Sequence, residues 1–202
     1  MTTPDSRLDT LLADAARIFA ERGFHGTSMR DLSRASGLSL SGIYHYVESK
    51  DELLFLIQEG CFAEVAEGAR LAVARETEPE ARLRAFIRHH VVFFTGHMHE
   101  MKVLSHEAGE LTGTMATAIR RRKREYVAFV TQLLEGIDVQ GINPQIAAYA
   151  LFGMINWIYT WYRPSGAIPP GYLADEISRL FLDGYLHPAS HAAHPLAASQ
   201  GG

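Results

Sequence analysis

A chain of 202 residues that is 47% hydrophobic and 21% charged can bury a real apolar core, which excludes an intrinsically disordered or collagen-like protein. Nineteen basic against twenty-three acidic residues leave a formal charge of -4, so no global positive field draws it onto nucleic acid or anionic membrane, and any such binding is local. The single cysteine, Cys61, excludes an internal disulfide and a Cys-Cys metal site.

The first residues have neither a basic flank nor an apolar signal region, and the longest apolar run, Ile146 to Trp161, is shorter than the roughly 20 residues that cross a bilayer. The expectation is a cytoplasmic protein with no membrane partner.

Leu8, Leu11, Leu12, Ala15, Ile18 and Phe19 form one apolar stripe of a first helix that Gly23 ends. Thr27 stands where an N-cap belongs, and Met29, Leu32 and Ala35 mark the inner face of a short second helix that stops at Gly37. Leu38 plugs the core, and a third helix opens at Ser39 or Leu40 and carries Ile43, Tyr44 and Val47. Ser49-Lys50-Asp51-Glu52 is a capping box that starts a fourth helix, with Leu53, Leu54, Ile57, Cys61, Val65 and Ala69 inward, to about Glu76.

A fifth helix is predicted from Pro79 to about His99, with Leu83, Phe86, Ile87, Val91 and Phe94 inward. Gly109 and Gly113 bracket weak helical signal, and Met115, Ile119, Tyr126, Phe129, Val130 and Leu133 then give another long amphipathic helix. Asn143-Pro144 caps and opens a helix predicted to run to Tyr162, where Arg163-Pro164-Ser165-Gly166 stops it. Tyr172 to Leu186 is the last helix. No strand alternation is convincing, so the fold class is all-α with about nine helices. Residues 1–50 form an expected helix-turn-helix unit, 51–187 a larger helical domain, and 188–202, without periodicity, a disordered tail.

Function concentrates between Ser28 and Val47, two short helices around Gly37 whose second helix can enter a major groove. Met29, Leu32, Leu38 and Ile43 lock the pair, leaving Ser39, Ser41, Gly42, Tyr44 and His45 for the outer face. Small residues let the backbone approach phosphates, while hydroxyls and imidazole offer hydrogen bonds to phosphates or base edges. Local charge agrees: Arg22, Arg30, Arg34 and Lys50 outnumber Asp31 and Glu48.

The runs Ile18-Phe19-Ala20-Glu21-Arg22-Gly23-Phe24, Thr27-Ser28-Met29-Arg30-Asp31-Leu32, Gly37-Leu38-Ser39 and Ile43-Tyr44-His45-Tyr46-Val47-Glu48-Ser49-Lys50-Asp51-Glu52-Leu53 resemble the TetR family of bacterial transcriptional regulators. The resemblance covers about the first quarter of the chain. It implies phosphate contacts at Thr27, Tyr44 and Lys50, with Ser39, Ser41, Gly42 and His45 near the bases. Leu40 departs from the polar or basic residue of many relatives, although it can touch a thymine methyl.

The resemblance also implies a second domain that dimerises and holds a small-molecule effector. Asn156-Trp157-Ile158-Tyr159-Thr160-Trp161-Tyr162-Arg163-Pro164-Ser165-Gly166 is similar to the branch that responds to acyl-CoA thioesters in fatty-acid or sterol degradation. Phe152, Asn156, Trp157 and Trp161 follow helical spacing as an aromatic wall with one amide, which needs a partner or costs about 1–3 kcal/mol. Phe93, Phe94, Met98 and Met101 add a flexible apolar lining, with His97 as a polar pocket residue and Tyr126 facing them.

Arg120-Arg121-Arg122-Lys123-Arg124 circles the helix axis at about 100° per residue, so one cation points toward the stripe of Ile119 and Tyr126. By spacing that cation is Arg122, and its anion is Glu107, Glu110 or a ligand phosphate.

His89, His90, His97, His99 and His106 lack the spacing of a metal motif, so neither a metal site nor a cofactor is expected. Relatives dimerise through their last two helices, and Tyr172, Ile177, Leu180, Phe181 and Tyr185 suit that face. The reading is a homodimeric repressor, not an enzyme, on palindromic double-stranded operator DNA, with reading heads about 34–36 Å apart. A fatty or steroid-derived acyl-CoA releases it. Alternatives are a repressor sensing a drug-like or aromatic metabolite, a metal-dependent all-α enzyme using the histidines, and a helical interaction module.

Overall fold

The computed structural model describes residues 4–107, 109–137 and 141–186; the tail from residue 188 and the side chain of Tyr185 lie outside the described residues. The described residues are all-α: α1 (Pro4–Arg22), α2 (Met29–Ser36), α3 (Leu40–Tyr44), α4 (Lys50–Val73), α5 (Pro79–Gly96), α6 (Met98–His106), α7 (Gly113–Glu135), α8 (Pro144–Asn156), a 3-10 turn (Trp157–Thr160) and α9 (Pro170–Leu186). No helix among them is long and apolar enough to cross a membrane.

Leu11, Ala15, Ile18 and Phe19 bury one face of α1, and Gly23, at φ 77, takes the left-handed conformation that ends it. The cap of α2 is Ser28, one residue beyond the expected Thr27. Asp31 N donates to the Ser28 hydroxyl at 3.2 Å, and Ser28 N donates to Asp31 Oδ2 at 2.9 Å. This reciprocal box was available in the sequence as Ser-x-x-Asp. Thr27 instead turns inward, 2% exposed, and its hydroxyl donates to the Gly23 carbonyl at 2.9 Å, satisfying an end of α1.

Helix α4 opens as the capping pattern predicts, with Glu52 N donating to the Ser49 hydroxyl at 3.1 Å. It carries Leu53 and Leu54 against α1 and Val65, Ala69 and Val73 into the larger helical body, so one continuous apolar core links the two regions. Helix α5 lies at the centre, packed on α4, α7 and α9.

Two expectations are corrected. The helix from Pro79 stops at Gly96 rather than near His99, because His97, at φ -125 and ψ 49, is non-helical; a separate α6 follows through the stretch whose helical signal is weak. The helix from Pro144 stops at Asn156 rather than Tyr162, and the chain tightens into 3-10 geometry at Trp157. Its start is as predicted: Gln145 N and Ile146 N donate to Asn143 Oδ1 at 2.9 and 3.2 Å, with Pro144 at the first helical position.

Candidate nucleic-acid interface and effector cavity

Helices α2 and α3 meet through Gly37, whose φ of 68 closes α2 in a left-handed cap, and the Ser33 hydroxyl donates to the Leu38 carbonyl at 2.6 Å across the turn. Ile43 and Val47 are buried beneath α3. Gly42 N donates to the Ser39 hydroxyl at 3.1 Å, which starts α3, and the Ser41 hydroxyl lies 3.1 Å from that of Ser39. The outer face therefore presents Ser39, Ser41, Tyr44 and His45, with Tyr44 52% exposed, while Leu40 and Gly42 are half-buried between them. Arg30 and Ser28 are exposed on α2 and at its start.

Asp31 is held by Arg34 at 2.7 Å, and the Ser28 hydroxyl, its backbone N–H and the arginines keep its carboxyl below the ordinary carboxylate range.

Two residues expected at phosphates are engaged elsewhere. The buried Thr27 hydroxyl serves Gly23, and the Lys50 ammonium donates to the carbonyls of Phe24 at 2.7 Å and Thr27 at 2.9 Å while lying 4.1 Å from the centre of the Phe24 ring. Lys50 thus ties the start of α4 to the loop between α1 and α2. Ser28 is the hydroxyl that the sequence reading passed over. It sits at the N-terminus of α2, where its hydroxyl and backbone N–H donate to the Asp31 carboxylate.

In the larger region a cavity of about 420 Å³ lies among α4, α5, α6, α7 and α8. Of the residues predicted to line it, Phe94, Met101, Tyr126, Phe152 and Asn156 do; Phe62, His90, Leu104, Ser105, Lys123, Arg124, Val127 and Tyr149 complete the wall. His90 is 1% exposed, packed against Phe94 and Phe152 with ring centres 4.7 and 5.8 Å away. It stands 3.1 Å from both the Tyr126 hydroxyl and Asn156 Oδ1, so the partner that the Asn156 amide needed is a histidine 66 residues earlier. Burial pushes His90 down to about 3, which keeps it neutral at physiological pH, and raises the Tyr126 phenol above its ordinary value.

Phe93, His97, Met98, Arg122, Trp157 and Trp161 do not line this cavity. Phe93 and His97 stack on each other 4.1 Å apart and face a shallow groove against α1 and α4. Trp157 and Trp161 are 61% and 50% exposed; at about 100° per residue Trp157 falls on the side of the helix away from the buried Ala147, Leu151 and Ile155.

Arg122 does not pair with Glu107 or Glu110. Its guanidinium donates to Glu59 on α4 at 3.0 and 2.5 Å. Arg121 pairs with Glu125 at 3.7 Å and Arg120 donates to the Thr117 hydroxyl at 3.3 Å. Lys123 and Arg124 line the cavity, and among the described residues neither has a carboxylate within ion-pair distance; burial pushes the Lys123 ammonium below its ordinary value.

The displaced acids serve the first region instead. Phe24 N donates to Glu107 Oε1 at 3.2 Å, and His25 Nε2 lies 2.5 Å from Glu110 Oε2. Helix α6, which lines the cavity with Met101 and Leu104, therefore ends in a direct contact with the segment that leads into α2.

The histidines do not converge on a metal: no group of three potential ligands occurs among the described residues. On the far side, α8, the 3-10 turn and α9 expose Ile146, Met154, Trp157, Trp161, Tyr172 and Leu180. Ile177 and Phe181, expected on the same outer face, are buried within the chain.

Comparison with known proteins gives two family matches: residues 11–57 match the bacterial regulatory proteins of the tetR family, and residues 76–185 match the tetracyclin repressor-like C-terminal domain. The transcriptional repressor KstR2 of Mycobacterium tuberculosis is 25% identical over 186 residues, covering 89% of this chain and 93% of its own. The crystal structure of AibR in complex with isovaleryl coenzyme A and operator DNA is 31% identical, covers 86% of this chain and 97% of AibR, and superposes with a TM-score of 0.78. A TetR-family regulator from Bordetella parapertussis, 29% identical, covers 94% of this chain and 100% of its own, with a TM-score of 0.83.

Proposed function

The chain belongs to the TetR family of bacterial transcriptional regulators, and from that premise we propose that it is a cytoplasmic, homodimeric repressor released from its operator by a fatty or steroid-derived acyl-CoA thioester. Its relatives are regulators rather than enzymes, which removes the metal-enzyme alternative. One observation carries the choice of effector. An apolar cavity has at its edge Lys123 and Arg124, two cations without protein counterions among the described residues, in the fold of a relative described with isovaleryl coenzyme A. The acyl end fills the cavity, and the cations attract the polyanionic coenzyme.

In this reading residues 1–50 are the DNA reader and 51–187 the effector and dimer domain. Arg30, Ser39, Ser41, Tyr44 and His45 meet the duplex, and Leu40 and Gly42 permit close approach. Thr27 and Lys50 brace the reader, and Ser28 caps α2 through Asp31. The exposed apolar residues of α8 and α9, with Trp157 and Trp161, form the dimer face, whose burial offsets the cost of ordering two subunits.

Release requires tighter effector binding to a dimer with mis-spaced readers than to the DNA-fitting one. Helix α6 supports such coupling, since it touches the cavity at one end and its following Glu107 and Glu110 hold Phe24 and His25 at the other. A coupling of about 1–3 kcal/mol changes operator affinity roughly 5- to 150-fold.

The deciding experiment is a gel shift on the protein's own upstream DNA, titrated with acyl-CoA thioesters of graded chain length and a steroid acyl-CoA. Loss of the shifted band with a subset of thioesters, and not with free coenzyme A, is expected. An unaltered band across the set, with release by planar dyes, would move the effector to the aromatic-metabolite class.

Tyr44→Ala tests the reader separately. Because the ring is half exposed, its removal is expected to change stability by no more than about 0.5 kcal/mol. Losing its bond to a phosphate lowers operator affinity about 10- to 100-fold, by the roughly 1.5–3 kcal/mol of a hydrogen bond to a charged group. Full affinity in fluorescence-anisotropy titrations would take Tyr44 off the duplex.

A further inference from the structure

The neutral hydrogen-bond chain in the cavity can run in two directions, and the structure holds the one that places Asn156 Oδ1 toward His90. Asn156 Oδ1 has no proton to give, so His90 Nε2–H donates to it; His90 Nδ1 is then a lone pair, and the Tyr126 hydroxyl donates to that. The opposite direction, with the amide turned and the His90 proton on Nδ1, would have the Asn156 N–H donate to His90 Nε2 and His90 Nδ1–H donate to the Tyr126 hydroxyl, leaving Oδ1 toward the cavity. In the direction the structure holds, the chain Tyr126 to His90 to Asn156 ends on the carboxamide nitrogen. Asn156 lines the cavity, and among the described residues no protein atom accepts from that nitrogen.

Phe62, Phe94, Met101, Leu104 and Phe152 offer no hydrogen bond to a ligand oxygen, and the wall's other donors are Ser105, Tyr149 and the cations Lys123 and Arg124. The carboxamide N–H groups of half-buried Asn156 are available to an acceptor that a ligand brings into the cavity.

We propose that Asn156 is the residue that recognises the thioester carbonyl of the effector, donating to its oxygen, with His90 and Tyr126 as positioning residues that hold the carboxamide in its donor orientation. This rests on the acyl-CoA reading above and deepens it: a carbonyl accepts and has no proton of its own to place, which matches a site that ends in donors. The cavity then selects by the presence of that oxygen, while its apolar wall selects by chain shape.

The test uses ligand pairs that differ only in the oxygen: isovaleryl-CoA against S-(3-methylbutyl)-CoA, and octanoyl-CoA against S-octyl-CoA, titrated calorimetrically into the full-length protein. The thioester of at least one pair is expected to bind about 10- to 100-fold more tightly than its thioether. In Asn156→Asp the carboxylate still accepts from His90 but has no proton to donate, so the ratio within that pair falls to about one. The ratio is the readout because a new negative charge weakens both polyanionic ligands alike.

Equal binding of both members by the wild-type protein overturns the carbonyl assignment and leaves the acyl-CoA reading standing. So does a ratio that survives Asn156→Asp. Binding of neither member of either pair, nor of any longer acyl-CoA, removes the acyl-CoA reading and this inference with it. The wild-type comparison needs no variant to fold.

Discussion

Phe86→Ala is expected to lower the unfolding free energy by about 3–5 kcal/mol, read from urea denaturation curves of the two proteins under one condition. Phe86 is fully buried at the middle of α5, and its ring lies 5.6 Å from Tyr126, 5.8 Å from His90, 6.1 Å from Phe152 and 6.2 Å from Phe129. These rings come from α5, α7 and α8, so one side chain fills the space where three helices meet. Truncation removes the aromatic contacts and leaves a void that neighbours tied into the His90 hydrogen-bond chain cannot fill without breaking it. Phe86→Leu, which retains most of the volume, is expected to lose less than half as much. Leu180→Ala, on the exposed side of α9, is the control, with little change in the isolated chain. A loss below about 1 kcal/mol for Phe86→Ala would mean that the helices close around the gap.

The same residue shows why much of the fold was legible in the sequence. Leu83, Phe86, Ile87, Val91 and Phe94 repeat at helical spacing because α5 buries one continuous stripe, and capping chemistry marks starts such as Ser49 and Asn143 independently of the rest of the molecule. Breaks were less legible. Thr95-Gly96-His97 contains no proline and apolar residues continue through Met98 and Met101, so periodicity alone runs on where the backbone turns at His97. After Asn156 the same extrapolation placed Trp157 and Trp161 in the cavity. Counted at about 100° per residue from the middle of the buried stripe of Ala147, Leu151 and Ile155, Trp157 falls more than about 100° away, and both emerge on the surface.

Roles set by distant chain segments were not legible at all. Lys50 resembles a free cation by composition, and only the fold brings the carbonyls of Phe24 and Thr27 to it. The helical arithmetic put Arg122 beside the stripe; Glu59 on α4 takes it, and Lys123 and Arg124 are the cations that line the cavity. The outward residues of α3 were predictable because a five-residue helix with Ile43 buried has one other face to offer.

Acid is expected to destabilise the protein through His90. Its ordinary value of 6.5 applies in the unfolded chain, whereas burial among four aromatic rings holds the native ring near 3. Between these values the unfolded chain binds a proton that the native protein refuses, so stability rises with pH in this window. The contribution is fully present above about pH 6.5 and is lost as the pH falls toward 3. At about 1.4 kcal/mol per unit, roughly 2–3 kcal/mol is gone by about pH 4.5, before the native ring begins to titrate.

Carboxylates titrate in the lower part of this range as well, and the variant His90→Gln separates the two sources. Glutamine can accept from Tyr126 and donate to Asn156, which keeps the chain polar, but it has no proton to gain. The variant is therefore expected to be the less stable protein at pH 7.5, through imperfect packing against Phe94 and Phe152, and to lose less on acidification. Denaturation midpoints at pH 7.5, 6.5, 5.5 and 4.5 should converge from the neutral side and cross if the packing loss is below about 2 kcal/mol. Parallel curves would show that the native ring takes up its proton as readily as the unfolded one. That outcome requires water to reach His90, and the Asn156 carboxamide would then lose the neutral partner that fixes its orientation.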